Sequence, residues 1–179
     1  NTPLIYAKAY ACFALKCVIA PDIPNNWASL EPFTISSPVN ILNAQRPAPV
    51  SLRHVFGHMV PDLVLGALAQ ALPGQIMAEG AGASWNIHIS ARPQDGHEGR
   101  RAEMLMFNSG GMGARPGLDG PSATAFPSGV MTMPIEATEQ TGPITIWRKE
   151  LRPDSGGEGE FRGGLGQIME IEALPGHQF

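Results

Sequence analysis

The chain has 179 residues, of which 43% are hydrophobic and 16% charged, and its formal net charge is −4. This length suits one domain with a sizeable core, and the mild acidity argues against nucleic acid or a membrane surface as a partner, because both usually need a basic patch. The 21 glycines and 17 prolines stay below the share that is typical of low complexity, so we expect an ordered, loop-rich body.

The first segment, residues 3–20, predicts a buried helix, because it is apolar nearly all round and Pro3 suits the first helical position. Cys12 and Cys17 lie five apart and would point about 140° apart on that helix, so no mutual disulfide is expected. Buried, reduced thiols favour a cytoplasmic protein. No run of 18 apolar residues occurs, so we predict no membrane span.

The following elements are predicted from periodicity. Residues 31–38 are a short strand candidate bounded by prolines, and residues 54–72 have the apolar spacing of a helix with Pro61 in its first turn. Alternation of apolar and polar residues predicts strands at WNIHIS, AEMLMFNS, ITIWRKEL and GQIMEIEAL. The order of elements indicates a loop-rich α+β fold with two main helices and mostly antiparallel strands, in a single segment over residues 1–179.

Three polar residues repeat at a spacing of four on the second predicted helix. His54, His58 and Asp62 would lie on one face, where the two imidazoles could converge on one ligand. The row is compatible with three interpretations: capping and lining the helix entry, contacting a polar substrate, or binding a metal.

Two glycine-rich stretches carry the remaining candidates. In NSGGMGARPGLDG, glycines surround Arg115 and Asp119, and such backbone can present N–H groups to an anion, while Arg115 can fork onto a carboxylate or phosphate or pair with Asp119. In RPDSGGEGEFRGGLG, Asp154 follows a proline as a good turn former, and Arg162 can reach back to it. An ordered hairpin-like connection is the alternative interpretation of that second stretch.

Several familiar motifs are missing from the sequence. It has no Gly-Lys-Ser/Thr phosphate loop, no complete dinucleotide fingerprint, no Gly-x-Ser-x-Gly elbow and no zinc-finger spacing of Cys and His. We therefore expect no cofactor site within this segment.

Seven stretches together resemble a known family. In chain order they are NTPL, PDIPNN, RHVFGHMVPDLVLGALAQALP, AEGAGASWN, GGMGARPGLDGPSAT, MPIEATE and ELRPDSGGEGEFRGGLG. They resemble the hydantoinase B family, which comprises the B subunits of ATP-dependent N-methylhydantoinases and the corresponding half of oxoprolinase, with acetone and acetophenone carboxylase subunits as relatives. By this resemblance the chain is the C-terminal part of a hydantoinase B-type domain.

The resemblance implies an ATP-dependent hydrolase that opens a cyclic amide such as a hydantoin or oxoproline ring. It implies a hydantoinase A-type subunit or half as partner, with ATP and a divalent metal in the full complex and neither in this segment. Arg115 and Arg162 would contact anions, whereas His54 and His58 occur in only some relatives. A carboxylase subunit of the acetone or acetophenone type and a mainly structural subunit-interface module are the alternatives.

Overall fold

The computed structural model describes residues 1–82 and 84–179. In chain order the elements are α1 (Leu4–Ile19), α2 (Trp27–Leu30), α3 (Arg53–Ala69), β1 (Trp85–Pro93), β2 (Ala102–Asn108), α4 (Ile135–Glu139), β3 (Ile144–Leu151), β4 (Gln167–Ala173) and β5 (His177–Gln178). The predicted α+β class is confirmed, with two long helices and antiparallel strands. No helix in the described residues is long and apolar enough to cross a membrane.

The two long helices pack against each other through a glycine. A side chain on Gly57 of α3 would come within 2.6 Å of the Tyr10 ring on α1, so glycine is what allows this close approach. The guanidinium of Arg53 lies 5.6 Å from the centre of the Tyr6 ring, a cation–π contact at the same interface. This contact fixes where α3 runs relative to the rest of the chain.

Helix α1 is less buried than its composition predicted. Ile5 is 74% and Ile19 59% exposed, Cys12 is half-buried and Cys17 is exposed, so the expectation of two buried thiols was wrong. The reason is that, among the described helices and strands, only α3 packs closely on α1. Both cysteines are free, as expected.

Two other expectations were wrong because of proline. Pro61 lies well inside α3 rather than in its first turn, because the helix already begins at Arg53. Residues 31–38 form no strand in the described structure, and prolines 32 and 38 cannot donate to a ladder. The short helices α2 and α4 and the two-residue strand β5 were not predicted.

The strands form two antiparallel groups around the main apolar cluster. Strand β1 pairs with β2 from Trp85↔Asn108 to Ala91↔Ala102, and β5 adds two residues at the far end of β1. Strands β3 and β4 pair separately, with a register shift between residues 146 and 148. The buried cluster joins both groups and consists of Ala91, Met104, Ile144 and Ile146.

Beside the sheets, four loop segments pack backbone against backbone, and we call this arrangement the glycine stack (residues 78–82, 110–114, 118–123 and 162–166). Six backbone hydrogen bonds of 2.8–3.0 Å link the segments; the donor–acceptor pairs are Ala78–Ala114, Ala81–Gly111, Met112–Pro121, Gly164–Met112, Gly120–Arg162 and Ala123–Leu165. A Cβ on Gly111 would overlap the carbonyl of Gly164, and one on Gly113 would overlap that of Ala78. Glycine is therefore a steric requirement of the stack.

We expect Gly111→Ala to destabilise the protein by about 1–3 kcal/mol, because backbone must move to admit the methyl group. Gly157→Ala is the matched control, since a Cβ at Gly157 meets nothing within 4 Å and its effect should stay within about 0.5 kcal/mol. Urea denaturation measures both variants. Equal stability of the two would contradict the steric role of Gly111.

Candidate functional site

The glycine stack forms a wall of a groove with a volume of about 440 Å³. Eight glycines line this groove, together with Trp85, Arg152, Phe161 and Gln167. The volume lies in the range of small-molecule sites, and glycine lets a ligand approach the main chain closely. The groove is the candidate binding site for a small ring-sized molecule.

Arg152 is the basic residue of the groove lining. Its backbone N–H donates to the Gly166 carbonyl at 2.9 Å, whereas its exposed guanidinium makes no hydrogen bond or ion pair with any described residue. Glu79 and Glu158 also line the groove, so its charge is mixed rather than strongly basic. Such a site suits a small polar molecule with one anionic or strongly accepting oxygen better than a polyanion.

The predicted Arg115–Asp119 contact forms, but through the main chain. The guanidinium of Arg115 donates to the carbonyl oxygen of Asp119 at 3.0 and 3.3 Å, across a turn closed by two backbone bonds between Arg115 and Leu118. The Asp119 carboxylate instead accepts the backbone N–H of Arg162 at 2.7 Å. Arg115 therefore supports its own loop, and Asp119 fastens the loop to the segment that follows β3.

The expected partnership of Asp154 and Arg162 is not formed. Asp154 adopts a positive φ of 55°, and its carboxylate makes no hydrogen bond or ion pair in the described part of the chain. The neighbouring Ser155 holds the turn, because its hydroxyl donates to the Arg152 carbonyl and accepts the Gly166 N–H at 2.9 Å. The stretch from 152 to 166 lies against the loop at 110–123, and the carboxylate that holds it is Asp119 of that loop.

The two histidines on α3 contact the start of β1. His58 is buried, and its Nδ1 accepts the backbone N–H of Ser84 at 3.3 Å, which places the ring proton on Nε2. His54 Nε2 lies 3.0 Å from the amide nitrogen of Asn86. Burial, with a smaller contribution from His54, lowers the pKa of His58, so this ring stays neutral at physiological pH. The two histidines therefore position the start of β1, and no group of three or more His, Cys, Asp or Glu in residues 1–82 and 84–179 is arranged to hold a metal.

Asp62, one turn further along α3, is the buried acid of the region. It is 8% exposed, and its carboxylate makes no hydrogen bond or ion pair with the described residues. Burial, and secondarily the negative charge of Glu79, raises the pKa of Asp62 from 3.8 to about 6. Asp62 is thus a carboxyl that can change its protonation state near neutral pH.

The whole chain, residues 1–179, matches the family model described as hydantoinase B/oxoprolinase. The chain belongs to this family. A relative from Pseudomonas sp. (strain NS671), named as the B-type component of a D-/L-hydantoinase, is 32% identical over 92% of the chain, and 5-oxoprolinase 1 of Arabidopsis thaliana is 30% identical over 96%. The crystal structure of ATP-dependent caprolactamase from Pseudomonas jessenii superposes with a TM-score of 0.71 at 29% identity, over 93% of the chain.

The hydantoinase B/oxoprolinase relatives are much longer than this chain. It spans 27% of the hydantoinase component, 13% of the oxoprolinase and 30% of the caprolactamase chain. The family match includes both glycine-rich stretches and hence the groove between them.

Sequence reasoning missed the side chains that line the groove. In the sequence, Trp85 is only the first residue of an alternating strand, and Phe161 is an isolated aromatic residue in a glycine-rich loop. Arg152 opens the second glycine-rich stretch, but nothing in its local sequence distinguishes it from Arg162. One signal was available in the sequence, namely a large side chain next to glycines. Because glycines leave space beside the main chain, such a side chain can contact a ligand that binds there.

The Asp119 bond leads to a matched pair of substitutions. Asp119→Ala should cost about 1.5–3 kcal/mol and speed amide exchange at Arg162, because it removes a charge-assisted acceptor. Asp154→Asn should be nearly neutral, since that carboxylate has no partner in the described residues and asparagine also tolerates a positive φ. Hydrogen exchange with mass spectrometry follows both. A larger effect of the Asp154 change would show that the loop is fastened differently.

The raised pKa of Asp62 predicts a pH-dependent stability. Because folding favours the protonated carboxyl, the contribution of Asp62 falls as pH rises from about 4 to about 6 and stays low above that. Asp62→Asn should therefore match the wild type near pH 4 and exceed it by roughly 2–3 kcal/mol at pH 7.5. Thermal unfolding at both pH values, with Asp22→Asn at an exposed site as control, is the measurement. A stability gap that does not change with pH would contradict the assignment.

Proposed function

We propose that this chain is part of the B-type subunit of an ATP-dependent hydrolase that opens cyclic amides, and that the groove beside the glycine stack takes the ring. The observation that carries the proposal is the family match over residues 1–179, which includes every residue of the groove lining. The similar proteins named as a hydantoinase component, a 5-oxoprolinase and a caprolactamase support the substrate class, since a hydantoin, an oxoproline and a caprolactam are all cyclic amides.

The groove offers what a small cyclic amide requires. Trp85 and Phe161 supply apolar surface, and the glycine backbone of residues 110–113 allows a flat ring to lie close to the main chain. The guanidinium of Arg152 can donate two converging N–H groups to the exocyclic carbonyl oxygen of the amide. Negative charge grows on that oxygen when the amide carbon is attacked, and a cation beside it stabilises the transition state more than the ground state.

ATP and the divalent metal belong, on this proposal, to other parts of the complex. The metal does not fit the described residues, because His58 Nδ1 already accepts the Ser84 N–H and His54 Nε2 is within hydrogen-bond distance of Asn86. A triphosphate does not fit the groove, because Glu79 and Glu158 line it. The nucleotide is therefore assigned to a hydantoinase A-type partner.

Arg152→Ala in the complete enzyme with its partner subunit should lower kcat/KM for a cyclic amide by about 10²–10³-fold, since it removes the cationic donor to the amide oxygen. Arg152→Lys should recover only part of this, because lysine keeps the charge and loses the fork. Arg100→Ala, an exposed arginine in the β1–β2 connection, is the control and should leave kcat/KM unchanged.

The assay is ATP-dependent ring opening of hydantoin, 5-oxoproline and caprolactam, followed by chromatography. Turnover of none of the three by the wild-type complex would refute the proposed activity. If the wild-type complex turns over a cyclic amide and the Arg152→Ala variant is equally active, the substrate does not bind in this groove.

A further inference from the structure

A second, much smaller cavity lies against the glycine stack on the side of α3. Asp62, Ser84 and Ser109 line it, together with backbone of residues 80–82 and 110–112 and with residues 124–126. Its volume of about 10 Å³ is at the lower limit for one water molecule and excludes a ring or a phosphate.

The cavity contains two hydroxyls that are buried without a protein partner. Ser84 is 8% and Ser109 1% exposed, and neither Oγ makes a hydrogen bond to any described residue. One main-chain group of each serine has a partner outside the cavity, since the Ser84 N–H donates to His58 and the Ser109 carbonyl accepts from Gln167 at 2.8 Å. Buried hydroxyls are almost always hydrogen-bonded, to protein or to an ordered water, so these two indicate a bound molecule.

Asp62 completes the polar lining, and the charges around it select an uncharged ligand that both donates and accepts. The charged group that acts on this carboxyl is Glu79 from the opposite loop, and His58, four residues earlier on the same helix, is a neutral ring. A water molecule donates to the carboxylate when Asp62 is ionised and accepts from it when Asp62 is protonated. One ligand therefore satisfies the site in both protonation states.

We propose that Asp62, Ser84 and Ser109 bind a single water molecule that links α3 to the residue before β1 and the residue after β2. These three groups give the two to four polar partners that a buried water requires. Gly80, Ala81 and residues 110–112 line this cavity and the 440 Å³ groove alike, so the water supports the wall of the groove from behind.

A double-substitution cycle tests whether the two serines share one ligand. Ser84→Ala and Ser109→Ala should each lower the folding equilibrium constant by roughly 5- to 30-fold, because each removes one partner of the water. The double variant should lose little more than the larger single effect, since the first substitution already releases the water. Ser84→Ala combined with Ser36→Ala, an exposed serine, is the control and should be additive.

A crystal structure of the wild-type protein at a resolution that shows ordered water provides the second measurement. Density for one water within hydrogen-bond distance of Asp62 and both hydroxyls, lost in the double variant, supports the site. Additive serine effects, no density, or density with the short contacts of a metal ion would each overturn it. None of these outcomes depends on turnover of a cyclic amide, so the test stands apart from that of the proposed function.

Discussion

The contact between the backbones of Gly111 and Gly164 is the constraint on which the rest of the structure depends. The loop after β2 and the loop after β3 meet with no side chain between them, and the hydrogen bonds that Gly164 donates to Met112 and Gly120 donates to Arg162 hold the two loops together. Because main chain touches main chain, the separation is fixed by van der Waals radii rather than by adaptable side chains. The width of the groove beside these loops is therefore fixed as well, whereas loops held apart by side chains would allow it to vary.

The family of the chain and its regular elements could be predicted from sequence, because short contiguous stretches of residues carry the information for both. Strand β3 was predicted over its full length from ITIWRKEL, whose alternation holds over residues 144–146 before Trp147 interrupts it at the register shift. The short helix α4 was not, because five residues do not establish a period. Pro61 was placed in a first turn on propensity alone, and the packing of α3 on α1 outweighed that preference.

The contacts predicted wrongly at the candidate site have a different cause, because the true partners are far apart in the sequence. Asp154 was a reasonable fastener because it is near Arg162 in the chain, yet the acceptor is Asp119, 43 residues earlier. Likewise, His58 at helical spacing from His54 and Asp62 resembles a ligand set, but its partner is the backbone N–H of Ser84. Every residue except proline has the same backbone N–H, so a contact with a backbone group does not depend on residue type. Such a contact therefore leaves no pattern in the sequence.

Helix α3 therefore carries one row of polar residues with two different physical roles. The imidazoles of His54 and His58 are close to polar groups of β1 and hold the strand against the helix. Asp62 faces a region where the chain offers hydroxyls and main chain but no cation within the described residues, and burial there favours its neutral form. The walls around Asp62 are also the walls of the groove, so any ligand that presses on residues 110–112 acts on the surroundings of this carboxyl.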